Sequence, residues 1–315
     1  MKPFYKATTQ FLTRRGFRSA KDLTPDDELF YFVGGKLKST KDYSVITKEV
    51  DMGLYTIGGG YVVGTPEIID FVKSSNKQDK PVVDSVSKVK FLVNDVAGSL
   101  SLDSALIYRF LFQSYFSINV DSCELTYSSQ EHTEMFNKTV YGSLDNLGKE
   151  LKKNNDLGYM PFIVTNKGKT TLKSDYFAKY PKCLYGDVLD NFNLTYNLVC
   201  ILCGLGLIFP DRKDKNKVLF MCFSSEVAKL ILFLLSTLGR SCYSIATKDT
   251  SKDVKDFYNL VVACKAKDEK PVDNKERFIA ELGCNIKLPE DGTLIASYTF
   301  RGKTSMFYMP SLKED

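Results

Sequence analysis

Apolar residues recur at helical spacing through the most hydrophobic stretch of the chain, residues 197–239. It reads as an apolar helix, a charged turn, a strand and a second apolar helix. Ser224 and Ser225 followed by Glu226 make a helix start, a serine cap with an acid in the first turn. Beyond it Val227, Leu230, Ile231, Leu234, Leu235 and Leu238 fall on one stripe, which the spacing predicts to be buried, and Gly239 is placed to end the helix. Residues 104–144 follow the same plan: an apolar helix, a short polar turn, a strand ending in Ser128-Ser129, then a helix. Two αβα units at a fixed offset predict a domain with a pseudo-two-fold axis. The helices over Ser104–Phe116 and Leu198–Phe209 are expected to pack together, using Gly204 and Gly206 for close approach.

The flanking regions alternate instead. Residues 1–33 read as short strands and turns, with Gly16 in a hairpin turn after Arg14-Arg15 and a Pro25-initiated turn leading into Leu29–Val33. Separate strands follow at Tyr43–Ile46, Leu54–Ile57 and Tyr61–Val63. The run Gly58-Gly59-Gly60 precedes a helix start at Thr65-Pro66-Glu67, but no Lys-Ser/Thr follows it and the glycine spacing is not a dinucleotide fingerprint. It therefore reads as a turn before a capped helix. Residues 292–309 read as two strands about Arg301-Gly302-Lys303.

At 315 residues the chain suits two domains. It is 43% hydrophobic and 26% charged, with a net charge of +5, too mildly basic to name nucleic acid as the partner. Tryptophan is absent and the one histidine is His132. The eight cysteines lie mostly in apolar runs and no signal peptide precedes them, so an intracellular, reducing location is expected. Cys200 and Cys203 form a lone C-x-x-C without the further ligands a zinc site needs, so no metal or other cofactor is expected. The longest apolar run is too short for a membrane span. Lys167, Lys169 and Lys173 lie in a basic and aromatic stretch with Tyr176, Phe177 and Tyr180. Such a stretch can grip a nucleic-acid backbone, although a solvated linker helix is the commoner reading.

The segment T-R-R-G-F-R-S-A-K-D-L-T-P-D-D-E-L, Thr13 to Leu29, resembles a conserved block of the Hedgehog/intein (Hint) splicing fold. It departs from that block where splicing chemistry would reside. The block's histidine falls near Lys2, no Cys or Ser stands upstream, and the chain ends in Lys313-Glu314-Asp315 rather than His-Asn. The two repeats after it resemble a LAGLIDADG homing endonuclease, through Leu202-Cys203-Gly204-Leu205 and the strand, Ser-Ser-Glu and amphipathic helix of Val218–Leu238.

The two resemblances imply an α+β protein with three parts. Residues 1–95 would be a β-rich Hint-like remnant, open to completion by strands from 285–310. Residues 96–270 would hold the two-repeat domain, and 271–315 the C-terminal strands and tail. In the endonuclease family each motif helix ends in an acid, and the two acids hold a divalent metal. Here the matching positions are Phe209 and, at the repeat offset, Gln113. Asp211 and Asp121 nearby read as turn residues, so no catalytic residue is expected.

The family reads DNA with the strands between its helices. Residues 110–137 hold no Lys or Arg, but do hold Asp121, Glu124, Glu131 and Glu134, and only the second repeat offers Arg212, Lys213, Lys215 and Lys217. With half of the saddle acidic, tight DNA binding is not expected. The expectation is a monomeric, non-catalytic adaptor that meets protein partners, with a phage or other viral source suggested by the ancestry and the Lys/Asn/Tyr/Phe-rich composition. A DNA-binding regulator that keeps the saddle, and an endonuclease with displaced acids, are the alternatives.

Overall fold

The computed structural model describes residues 3–57, 60–68 and 272–312, together with the strands and helices named below and the single residues Phe192 and Val199. The described chain is mostly antiparallel β-structure with few helices, an α+β protein. Strands β1 (Tyr5–Lys6), β6 (Ser44–Ile57), β7 (Gly60–Gly64) and β16 (Val272–Lys287) close a small barrel in the order β1-β16-β6-β7. The sequence pattern suggested two strands between Tyr43 and Ile57. They are one, because β6 pairs continuously enough with the long β16, through register shifts, to absorb Gly53 and the charged residues between.

Against the barrel lies a ten-stranded sheet. Its barrel-proximal part is β2 (Gln10–Thr13), β3 (Gly16–Ser19), β4 (Leu29–Val33), β5 (Lys36–Thr40), β17 (Thr293–Phe300) and β18 (Lys303–Pro310). β17 is hydrogen-bonded to β18 on one side and to β2 and β4 on the other, so the two ends of the chain share one sheet. One face, with Phe11, Leu29, Tyr31, Leu294, Ala296, Tyr298, Phe307 and Met309, packs onto Tyr5, Met52, Leu54, Val62, Val63 and Ile286 of the barrel. The other carries Phe32 and Tyr308, whose rings meet each other and, from Phe32, those of Phe233 and Phe192.

The sheet continues past β18 into β14 (Ser241–Thr247), β15 (Phe257–Ala263), β13 (Lys217–Cys222) and β12 (Ile208–Pro210). A second, separate sheet holds β8 (Ser117–Asn119), β9 (Glu124–Tyr127), β11 (Lys169–Lys173) and β10 (Phe162–Asn166). The two four-strand groups have the same plan, each a hairpin followed by a second hairpin whose later strand pairs with the first: β8-β9-β11-β10 and β12-β13-β15-β14. Each unit thus has four strands, where the hydrophobic pattern suggested one between two helices.

Three expectations change. The helix predicted over Leu198–Phe209 does not reach its end: Phe209 sits in β12, paired with Leu219, although Val199 is helical. Lys169 and Lys173 lie on a strand, not a linker helix, because Thr170, Leu172 and the facing Thr165 and Ile163 alternate with them as a half-buried sheet requires. The helix α2 (Ser225–Thr237), following α1 (Leu184–Asp190), is buried around nearly its whole circumference: Val227, Ala228 and every residue from Leu230 to Leu235 are inaccessible. It touches β13, β14 and β15 as well as β3 and β18 of the sheet, and off the sheet it meets Phe192 through Phe233 and Tyr185 through the Glu226 carbonyl. Both helices of the first predicted repeat, the one over Ser104–Phe116 with Gln113 and the one after Ser129, lie outside the described residues, and so does the expected packing of Ser104–Phe116 against Leu198–Phe209.

Candidate partner-binding surfaces

Strand register assigns the expected contact residues to faces. Tyr308 of β18 bonds its hydroxyl to Ser236 of α2, so the face of Tyr308 and Thr304 is the helix side. Ser244 pairs with Thr304, and Tyr243 with Ser305, which extends the two faces into β14. The helix side then takes Cys242, Ser244, Leu260, Val262, Val218, Phe220 and Ile208. The opposite side takes Phe209, Lys217, Leu219, Met221, Tyr243, Ile245, Asn259 and Val261. Lys217 is the one charged position in these four strands on either side. Arg212, Lys213 and Lys215 belong to the segment joining β12 and β13 and lie outside the described residues.

The first sheet differs. Lys169, Thr171 and Lys173 share a face with Asn166, Val164, Phe162, Thr126, Glu124, Ser117 and Asn119, while Thr170, Leu172, Thr165, Ile163, Tyr127, Leu125 and Ile118 share the other. All the charged positions of the sheet fall on the first of these faces, together with Phe162 and Val164. Lys173 stands opposite Glu124. Lys167 lies outside the described residues, beyond the Asn166–Lys169 pair that closes the hairpin.

The Hint-like segment is tied into structure rather than presented as a site. Gly16 has φ 101°, and a β-carbon there would lie 2.9 Å from the Glu226 carboxylate, so the turn after Arg15 tolerates only glycine comfortably. Arg14 donates two 2.9 Å hydrogen bonds to the Asp190 carboxylate of α1 and another to Glu28, fastening the hairpin to the helix. The bond from Arg14 to Glu28, helped by the Ser39 hydroxyl, holds the Glu28 carboxyl below its ordinary range against burial and the nearby Asp190 charge. The buried Asp27 accepts from the Thr24 backbone N–H and hydroxyl and from Arg15. Burial opposes its ionisation, but those donors outweigh it and its pKa is lowered.

No nucleophile emerges in the barrel interior. Burial pushes the Cys284 thiol up to about 12, which leaves it protonated and inert. Asn285, beside it, donates from its amide to the Pro3 carbonyl and accepts from the Ile286 N–H, which anchors the entering chain. Burial also raises the Tyr5 hydroxyl pKa, with the neighbouring Cys284 adding to it. Among the described residues no three His, Cys, Asp or Glu side chains converge as a metal site, and no helix is long and apolar enough to cross a membrane. A hollow of about 220 Å³ between Phe32–Gly35, Asp291–Thr293, Pro310 and Ser311 is smaller than the usual small-molecule site.

The sequence reading missed one surface constellation: Tyr61, Phe300, Arg301 and Lys303, which meet where two hairpins end. Its signals, a tyrosine after a glycine run and F-R-G-K at a turn, were both legible, but their adjacency was not. No protein-family model matches the chain, and no curated protein matches it.

Proposed function

We propose that the chain is a non-catalytic binding or adaptor protein on a degenerate Hint/LAGLIDADG scaffold, and that it meets protein partners in a reducing, phage-related setting. The observation that carries this reading is the strand face opposite α2. A surface that grips DNA gains affinity by neutralising phosphates with Lys and Arg. On this face Lys217 stands alone among Phe209, Leu219, Met221, Tyr243, Ile245 and Val261. A strand face of that composition has the makeup of a protein interface core, where charge is depleted and aromatic residues and Met are enriched. The repeated strand order of the two four-strand groups, and the sharing of one sheet by the two chain ends, support the scaffold.

Duplex DNA titrated at physiological salt is expected to bind no tighter than about 10⁻⁴ to 10⁻⁶ M, the non-specific range. Reversal of Arg212, Lys213, Lys215 and Lys217 to Glu should leave the biological role intact. A sub-micromolar, salt-steep complex lost together with function on that reversal would overturn the adaptor reading.

Mg²⁺- or Mn²⁺-dependent cleavage is expected to be absent, because Phe209 and Gln113 stand where the acids would be and Phe209 is in a strand. Sequencing of a randomised duplex library after incubation checks this. Reproducible cuts abolished by Asp121→Asn or Asp211→Asn would favour displaced acids instead. The DNA-binding alternative draws its support from the first sheet, one face of which unites Lys169 and Lys173 with Thr126, Thr171 and Ser117, although Glu124, Phe162 and Val164 share it.

A further inference from the structure

β6 is 14 residues long, but its two neighbours do not accompany it equally. β16 pairs with it from Ser44 to Thr56, whereas β7 pairs only with Gly53–Ile57. Residues 44–52 therefore have a ladder on one side and an open edge on the other. Among the described residues, none donates to or accepts from the outward backbone groups of that edge. The pairing with β16 is regular from Val50 to Ser44, so no bulge twists the edge away there, and no proline interrupts it.

Such an edge is a template for another strand, and proteins that leave one unpaired usually shorten it or load it with lysine. β5, the outermost strand of the large sheet, does both: it is 5 residues long and carries Lys36 and Lys38, with Lys41 just beyond. The open part of β6 does neither. Val45, Ile46, Thr47 and Val50 are β-branched, the residues that suit strands, and Lys48 is its one lysine. Ile46 is 36% exposed, one of two large apolar side chains so exposed among the described residues. The other, Leu282, stands opposite Glu49 in the same two-strand ribbon. Thr47, Lys48, Glu49 and Asp51 are exposed as well.

We propose that this edge pairs with the same edge of a second copy of the chain, antiparallel about a two-fold axis at Ile46, in place of the monomer expected from the sequence. A two-fold axis perpendicular to the sheet keeps each residue on its own face, so residues set opposite must lie an even number of positions apart. Centred on Lys48 or Glu49, the pairing would set like charges against each other. Centred on Ile46, it sets that side chain against its own copy, Val45 against the partner's Thr47, Ser44 against the partner's Lys48 and Tyr43 against the partner's Glu49. The residues before the strand, Lys41 and Asp42, then come toward the partner's Glu49 and the partner's Lys48, so acid meets base at each end of the pairing. An unrelated strand would need acid and base in this same order, which the chain's own edge already has. None of these residues belongs to the strand face opposite α2, so this proposal and the adaptor reading can fail separately.

The test is sedimentation equilibrium of the full chain from about 1 μM to about 1 mM, because one added strand pair is at the low end of interface size and a weak complex is expected. The wild type should dimerise within that range. Ile46→Lys sets two ammonium groups face to face on the axis and, at an exposed position, should leave thermal unfolding unchanged while weakening dimerisation at least about tenfold. Lys48→Glu, which brings an acid toward the partner's Asp42, should weaken it too. Ile46→Val keeps a β-branched pair on the axis and should keep the dimer. A wild type that stays monomeric to about 1 mM would overturn the proposal. So would a dimer that Ile46→Lys and Lys48→Glu leave unchanged, since its contact would lie elsewhere.

Discussion

Asp27 shows how one side chain holds a turn. Its carboxylate receives the Thr24 N–H and hydroxyl, closing the Pro25 turn, and Arg15 from the neighbouring hairpin. Most of this value resides in the buried hydrogen bonds, since Arg15 is 57% exposed and solvent screens its pairing. The folded pKa lies below the ordinary 3.8, so the stabilisation is present above that value and is lost as pH falls through the folded pKa. Asp27→Asn is expected to cost about 1–2 kcal/mol at neutral pH. In urea unfolding the gap to wild type should close as the pH is lowered below the carboxylate range. Parallel curves would show that Asp27 is not the linked group.

At the scale of elements, α2 separates what a periodic pattern can say from what burial does. The stripe Val227, Leu230, Ile231, Leu234 and Leu235 is buried, and so are Leu232 and Phe233 off it. A helix packed on one face would tolerate Leu232→Ala at the cost of helix propensity alone. With Leu232 as inaccessible as Ile231, this one should lose about 2–4 kcal/mol at Leu232, close to the loss at Ile231→Ala. Chemical denaturation of the two variants decides it, and a Leu232→Ala cost below about 1 kcal/mol would mean that α2 is open on that side. The same enclosure accounts for the uninterrupted apolar sequence of Leu230–Leu235, which has no polar position to spend on solvent.

For the whole molecule, the chief constraint is that distant segments complete one another. β1 is held between β7 and β16, and β17 lies between β18 and the β2/β4 pair. Residues 1–68 alone would leave β2, β4 and β6 with unpaired edges and would expose Phe11, Leu29, Tyr31 and Leu54. That fragment is expected to be unfolded by circular dichroism, and to gain β-structure when a 270–315 fragment is supplied in trans. A cooperatively folded 1–68 fragment would contradict the shared core.

Local order was legible along the chain because it depends on neighbours in sequence. The Ser-Ser-Glu start of α2, the positive-φ glycine after Arg15 and the alternation of β17 and β18 each follow from a few adjacent residues. The four-strand plan shared by the two groups was not visible, since β11 lies in a basic stretch that reads as a linker helix. Tertiary structure alone decided which face each strand presents, because register assigns the alternating positions and a one-residue shift would invert them. It alone turned a striped helix into an enclosed one, with the sheet on one side and residues such as Phe192 and Tyr185 meeting it as well. It alone brought Tyr61 to Arg301 and Lys303, since the pairing that joins their hairpins runs through a bond between residues 244 positions apart, beyond the reach of any local pattern.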